Sequence, residues 1–400
     1  MDFEEAGKNL IIETNKKLME ASKAYYAKAQ PIMTDEHYDL LEKDLKSMVS
    51  KLPQFTGLAT VLTKVGSDIV DDKGRVRHSR PMLSLENQYT FDNVEAFVDK
   101  FPEGAAFVVE PKIDGASLAV QYLNRQLVKA VTRGDGEYGE DVTRQMVASD
   151  AIEVTLNPEF YPDSLIEVRG EVYMTTQQFD AINAESEKKY ASPRNLAAGS
   201  MKLQDLAAVK ARGLKFYPWD VSGIPAEYLA KKHLSADFAH HQIVYFSRTI
   251  TKNFNPDFSV FHTASEMNKA LDGHLRIYRD TAMHKGRGIL TDGYVIKVAS
   301  PTLRKEVGVG SKCPNWAVAF KYPSQGAVTT LISVTWQVGR SGGLTPVGEL
   351  VPVNIGGVMV SRANLNNWSW MLDKGIKEVP CQVEVARGGE VIPQIVRVLP

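Results

Sequence analysis

The chain has 400 residues, 44% hydrophobic and 24% charged, with 47 basic against 48 acidic side chains and a formal net charge of -1. That length exceeds one compact core and implies two or three domains, while the near-neutral charge excludes coating a duplex by bulk positive charge, so any nucleic-acid contact needs local basic patches. Cys313 and Cys381 cannot by themselves form a four-ligand zinc site or a disulfide framework, and the acidic opening MDFEEAGKNL, with no secretory or membrane-spanning run, points to a cytoplasmic chain without a membrane partner.

In chain order, Phe3, Ala6, Leu10, Leu18, Ala21 and Tyr25 recur at helical spacings. Pro31 interrupts. Thr34 reads as the N-cap of a second helix, with Asp35 and Glu36 in its first turn and a stripe of Tyr38, Leu41, Leu45 and Met48. This helical module is expected to end near Pro53, and Gln54 to Arg77 reads as a connector. From Ala105 onward the segments AAFVVEPK, ASLAVQYL, QLVKAVTRG, SLIEVRGEVYM, LKFYPWDV, TDGYVIKV and WAVAFKYP read as strands, with helices at TTQQFDAINAES and ASEMNKALDGHLRIYRD between them. The pattern predicts an α+β domain of antiparallel hairpins rather than a βαβ alternation. After Pro323, short strands separated by glycines at Gly342, Gly356 and Gly388 predict a small barrel, with an OB-fold the first choice. The expected division is 1–68, 69–323 and 324–400.

The stretch VEPKIDGASL carries the clearest chemistry. In a strand, Glu110, Lys112 and Asp114 share one face, and the glycine beside them is expected to let a ligand approach closely, making Lys112 a candidate nucleophile. Such a lysine must attack as the neutral amine, whereas two carboxylates favour the ammonium, so a compensating positive charge is required. Lys297 and Lys321 end apolar runs. Either alone would read as a snorkelling surface lysine, but with Lys112 they make a cationic site suited to a di- or triphosphate. Taken singly, Arg133 reads as a surface turn and Glu171 as a solvated strand position, with Arg169 at i-2 offering Glu171 an ion pair.

The motifs SLEN at Ser84, KIDG at Lys112, TRGDGEYGEDVT at Thr132, EVRGEVYM at Glu167, ASPRNLAAGS at Ala191, DGYVIKV at Asp292 and WAVAFKYP at Trp316 stand in this order. Together they resemble the NAD-dependent DNA ligases of bacteria. QVGRSGGLTPVGELVPV from Gln337 and RGGEVIPQI from Arg387 resemble that family's OB domain, so the resemblance covers essentially the whole chain. It implies an α+β multidomain chain: a helical module, a DNA-ligase-like nucleotidyltransferase domain unrelated to ATP-grasp, and an OB barrel.

The resemblance further implies that Lys112 attacks the α-phosphate of NAD, forming lysyl-AMP and releasing nicotinamide mononucleotide. AMP then passes to the 5′-phosphate of nicked double-stranded DNA, and the 3′-hydroxyl displaces it. Asp114 is a further catalytic residue, Glu110 reads the adenine amino group, Ser84 and Leu85 line the base pocket, Trp219 stacks, and Val295 packs on the base. Arg133 and Glu171 hold the ribose, and Lys297 and Lys321 steady the phosphates. Tyr25, Tyr26, Asp35, Tyr38 and Asp39 match the nicotinamide mononucleotide site, where aromatic faces and carboxylates suit a flat cation. Arg194, Lys202 and Arg340 are the expected DNA contacts. Magnesium is implied without named ligands, and the chain is expected to act as a monomer.

Three departures bear on these expectations. Gly199 to Leu203 reads GSMKL where the family usually has GSLRQ, so Lys202 keeps a charge but lacks the guanidinium fork. Trp219 replaces a tyrosine. VSRANLNN stands for the usual VSRATLHN. Family members normally continue into zinc-finger, helix-hairpin-helix and BRCT domains, so a chain ending at Pro400 reads either as a fragment or as a minimal viral or phage enzyme. The competing readings are an ATP- or GTP-dependent ligase-like or capping-like nucleotidyltransferase, and a catalytically inactive OB-fold nucleic-acid-binding protein.

Overall fold

A computed structural model of the chain describes residues 3–26, 32–33, 35–62, 75–158, 161–187, 189–190, 192–225, 227–228, 259–281, 288–321, 326–338, 344–355, 358–365, 368–373, 375–376, 378–388 and 392–399. The chain divides into two compact units, 1–62 together with 323–400, and 63–322, each described by itself.

The helical spacing at the N-terminus yields α1 (Phe3–Tyr26) and α2 (Asp35–Lys51). Their apolar faces bury Ile11, Leu18 and Leu45 in one cluster. Within the expected connector, Gln54 to Arg77, the stretch up to Leu62 is not a linker: 3-10 turns over Pro53–Leu58 and Thr60–Leu62 pack Phe55, Leu58, Ala59, Val61 and Leu62 onto that cluster. Asn15 accepts the Val61 N–H at 2.9 Å and fixes the second turn. Pro53 and Gly57 disfavour a regular helix, yet Phe55 and the apolar residues that follow Gly57 still need burial, and short 3-10 turns satisfy both demands. Thr34, expected as an N-cap, lies outside the described residues.

The unit 63–322 carries strands β1 (Arg75–Arg77), β2 (Glu86–Gln88), β3 (Phe107–Ile113), β4 (Ala116–Leu123), β5 (Gln126–Thr132), β6 (Tyr138–Glu140), β7 (Leu165–Tyr173), β8 (Lys215–Ser222), β9 (Ser259–Phe261), β10 (Thr291–Val298) and β11 (Ala317–Lys321). One sheet runs β5-β4-β7-β8 and a second runs β2-β11-β10-β3-β9, while β1 pairs with β6. These pairings are antiparallel apart from β2 with β11. The period-two pattern of ASLAVQYL sends Leu118, Val120 and Tyr122 into one core, where all three are fully buried.

In the second sheet, Phe107 and Val109 of β3, Tyr294, Ile296 and Val298 of β10, and Val318 and Phe320 of β11 enter another core. Against them pack the helices Phe91–Val98 and Ala264–Thr281 through Val94, Phe97, Met267 and Leu271. Phe320 also stacks on Phe91, with ring centroids 5.4 Å apart. Each such buried side chain contributes about 1.5–3 kcal/mol by leaving water. The intervening residues of these three strands are thereby turned to the opposite face.

The C-terminal segment forms β12 (Gly326–Val338), β13 (Leu344–Ile355), β14 (Val358–Asn364), β15 (Cys381–Gly388) and β16 (Ile392–Val398), ordered β12-β13-β14-β16-β15 around a closed barrel. Leu331, Leu350, Val360, Val383, Val385 and Ile395 fill it. The expectation of uniformly short strands fails for β12 and β13, which run 13 and 12 residues. Irregular registers between Leu331 and Ser333 and between Glu349 and Val353 bend them around the barrel. Among the described residues no helix is long and apolar enough to cross a membrane.

Candidate functional site

The face of the second sheet turned away from its core forms the floor of the site. Register sets three rows across β3, β10 and β11: Lys112, Gly293 and Lys321 in the first, Glu110, Val295 and Ala319 in the next, and Val108, Lys297 and Ala317 in the third. Four residues singled out from sequence, Glu110, Lys112, Lys297 and Lys321, therefore share one surface with Val295. Gly293 lies between two lysine-bearing strands, and a Cβ there would stand 2.1 Å from the Phe320 carbonyl oxygen and 2.8 Å from the Lys321 Cα.

The floor holds two ion pairs of different character. Lys297 Nζ donates to Glu110 in a pair whose side chains are each 7% exposed. It also donates to the Trp219 carbonyl at 3.1 Å and lies 5.3 Å from the centroid of the Trp219 ring. Lys112 Nζ donates to both oxygens of Asp292, at 2.9 and 2.7 Å, and these side chains are 22% and 31% exposed. Asp292 reaches Lys112 because the register of β10 against β3 shifts between Thr291 and Gly293, leaving Asp292 as the extra residue of a bulge. A bulge re-aims a side chain that regular pleating would send elsewhere. Asp292 is the site residue that sequence reasoning missed, although its DG dipeptide marked the irregularity.

Asp114 follows the end of β3 and pairs with Arg194 Nη1 at 3.0 Å. Burial pushes its carboxyl above the usual range, Arg194 opposes that, and neighbouring Asp292 reinforces it. Arg194 stands in the helix Pro193–Ser200, which opens with Ser192 capping the Asn195 N–H at 3.2 Å and with proline in the first turn. The glycine of the KIDG motif has a packing use. A Cβ at Gly115 would stand 2.6 Å from the Val172 carbonyl oxygen and 3.2 Å from the Glu171 Cβ, so the missing side chain lets β7 approach.

The other sheet supplies the facing wall. Glu171 of β7 accepts the Ser117 hydroxyl at 2.6 Å. Burial raises its carboxyl, and Ser117, Arg194, Lys112 and Arg133 only partly offset the effect. The possible Arg169–Glu171 ion pair is corrected: Arg169 Nε donates instead to Glu167 at 2.8 Å, in a pair 6% and 5% exposed. Its Nη1 and Nη2 donate to the backbone carbonyls of Pro81 and Arg80. Trp219, half-buried, packs with Ile113, Tyr173 and Tyr217. Ser84 is fixed by its backbone N–H to the Lys312 carbonyl at 2.9 Å, and Leu85 follows it.

Arg133 lies in the turn after β5, its backbone N–H donating to the Ser117 carbonyl at 3.1 Å. Lys202 pairs with Glu140 at 2.5 Å. In the unit that holds α2, Tyr38 is half-buried against the helical core, as an ordinary packing residue would be, and Asp39 is half-buried beside it. The side chains of Tyr25, Tyr26 and Asp35, and all of Arg340, fall outside the described residues.

Comparison with known proteins gives a consistent picture. Residues 72–325 match the family described as the NAD-dependent DNA ligase adenylation domain, and residues 328–400 match the NAD-dependent DNA ligase OB-fold domain. The chain is 37% identical over 397 residues to a DNA ligase of Hyphomonas neptunium, covering 96% of this chain and 54% of that protein. It is 36% identical over 398 residues to one of Acidiphilium cryptum, covering 98% and 55%, and 35% identical over 394 residues to one of Chloroflexus aggregans, covering 93% and 55%. The chain spans about half the length of the curated relatives it matches.

Proposed function

Since the chain belongs to the NAD-dependent DNA ligase family, we propose that it adenylates itself on Lys112 from NAD and passes the AMP to the 5′-phosphate of a DNA nick. The observation that carries this reading is the placement of Lys112 on one floor with Glu110, Lys297 and Lys321, with Glu171 near enough to feel its charge.

In the first step the Lys112 Nζ bonds to the α-phosphorus as the bond to the bridging oxygen breaks, and nicotinamide mononucleotide departs with the electron pair. Lys112 must surrender a proton before it attacks, and Asp292 is the acceptor in contact with it. Lys321, one strand beyond Gly293 in the same row, suits the charge that develops on the phosphate oxygens. The nick's 5′-phosphate then displaces Lys112 from AMP, and the 3′-hydroxyl displaces AMP.

Lys297, expected from the resemblance to steady the phosphates, is better suited to the base. Its pair with Glu110 beside the Trp219 ring offers a donor and an acceptor side by side, as the edge of adenine requires. Arg133 and Glu171 remain the proposed ribose contacts, with Ser84, Leu85 and Val295 lining the base pocket. The nicotinamide mononucleotide half is assigned to Tyr25, Tyr26, Asp35, Tyr38 and Asp39. Arg194, Lys202 and Arg340 are proposed to meet DNA phosphates, the first two after exchanging Asp114 and Glu140 for the nucleic acid. The three-part division at 68 and 323 stands as part of this proposal.

Among the described residues no group of three or more His, Cys, Asp or Glu side chains could hold a metal ion. Magnesium is proposed as an ion carried by the substrate phosphates, as this ion is commonly bound.

The test is to incubate the protein with magnesium and either NAD or ATP, then weigh it intact. An AMP adduct with NAD, none with ATP, and none in Lys112→Ala is the expected result. An adduct from ATP alone, or none from NAD, overturns the reading.

A further inference from the structure

We propose that Arg169 is a positioning residue of the nucleotide pocket: its guanidinium clamps the backbone at Arg80 and Pro81 and so sets the edge carrying Ser84 and Leu85 against Trp219. The inference rests on the reading of this site as one that takes NAD.

Residues 79–84 run without regular structure between β1 and β2, with Ser79, Arg80 and Pro81 exposed, and a strap of that kind has no ladder partner for its backbone carbonyls, which find donors elsewhere. Arg169, 5% exposed, supplies them. Its Nη1 donates to the Pro81 carbonyl at 2.8 Å and its Nη2 to the Arg80 carbonyl at 2.5 Å, while Nε holds Glu167 at 2.8 Å. Glu167 in turn accepts the Ser79 hydroxyl and, at 3.0 Å, the Gln121 amide. The Arg80 side chain reaches forward to Asp220 at 3.0 Å, the residue after Trp219. Further along, Met82 N–H donates to the Gly136 carbonyl at 2.8 Å. The strap is thus tied to β4, to β7 and to the strand that carries the stacking indole.

The chemistry selects arginine. Only a planar fork presents donors to two successive carbonyls and to a carboxylate at once; lysine keeps the charge but not the geometry. A buried ion pair of this kind gives little stability over a well-packed apolar pair, because desolvation offsets the Coulomb attraction. Its contacts are therefore better explained by the shape they impose on the pocket edge.

The test follows adduct formation on Lys112 by intact mass as NAD concentration is varied, together with thermal melting, in the parent protein, Arg169→Lys and Ser79→Ala. In Arg169→Lys the NAD concentration for half-maximal rate is expected to rise about tenfold, with the saturating rate within about threefold of the parent. Ser79→Ala should move the same way by less, and it decides alone if Arg169→Lys does not fold. No adduct in the parent would defeat the functional reading itself. A reactive parent with unchanged NAD dependence in the variants would overturn this inference, as would a fall in melting temperature and saturating rate together with that dependence unmoved.

Discussion

Glu167 and Glu171 stand four residues apart on one face of β7, yet the two ends of that strand treat a carboxylate in opposite ways. At the strap end, burial pushes Glu167 up, but Arg169, Ser79, Gln121 and Arg80 together outweigh it and hold the carboxyl below its usual range. At the cleft end, burial dominates over Ser117, Arg194, Lys112 and Arg133, and Glu171 is raised. One carboxylate has been completed by the protein. The other has one hydroxyl donor in contact and cations at longer range, which suits the ribose contact proposed for it, whose hydroxyls would add donors. The same contrast separates Lys297, closed in its pair with Glu110, from Lys112, held by Asp292 at the edge of solvent.

The completed end is the more costly to disrupt. Glu167→Ala leaves Arg169 buried without its anion and is expected to cost about 3–5 kcal/mol, read as a lower urea midpoint at constant slope. Glu171→Gln should behave otherwise, leaving stability at neutral pH unchanged or slightly higher while Lys112 adduct formation slows about 100-fold; a matching loss of stability would refute the distinction.

The pH dependence sharpens it further. Glu171 has a raised folded value, so its protonated form favours the native state: that stability is fully present below the ordinary glutamate range and is lost as pH rises through the raised value. Glu167, held low, contributes above the ordinary range and loses its contribution as pH falls through the lowered value. Melting followed from acid to neutral pH should therefore show Glu171→Gln gaining on the parent as pH rises. The smallest effect belongs to the barrel surface. Arg397, 66% exposed, pairs with Glu384 at 2.6 Å, and Arg397→Ala should change stability by about 0.5 kcal/mol or less.

Much of this was legible in the sequence where one strand or helix decides the outcome. ASLAVQYL and TDGYVIKV became strands with the bounds their alternation gives, and Glu110 and Lys112 share a face because period two requires it. What the sequence concealed depends on partners far along the chain. Asp292 meets Lys112 from 180 positions away, through a register shift that no local pattern specifies. Arg169 had equal spacing to Glu167 and Glu171, and the strap's carbonyls, nearly ninety positions upstream, decided between them. The turns after Pro53 looked like a linker because proline and glycine mark irregular backbone, whereas their apolar residues reveal burial only once α1 and α2 are in place.

Gly293 sits between the strands of two lysines with nothing but hydrogen on its Cα. The gap between these two lysine positions is consequently gauged by main-chain hydrogen bonding across adjacent strands, a dimension of about 4.8 Å per step that thermal motion scarcely alters. A methyl group inserted there would wedge β11 outward and detune that gap without touching either amine.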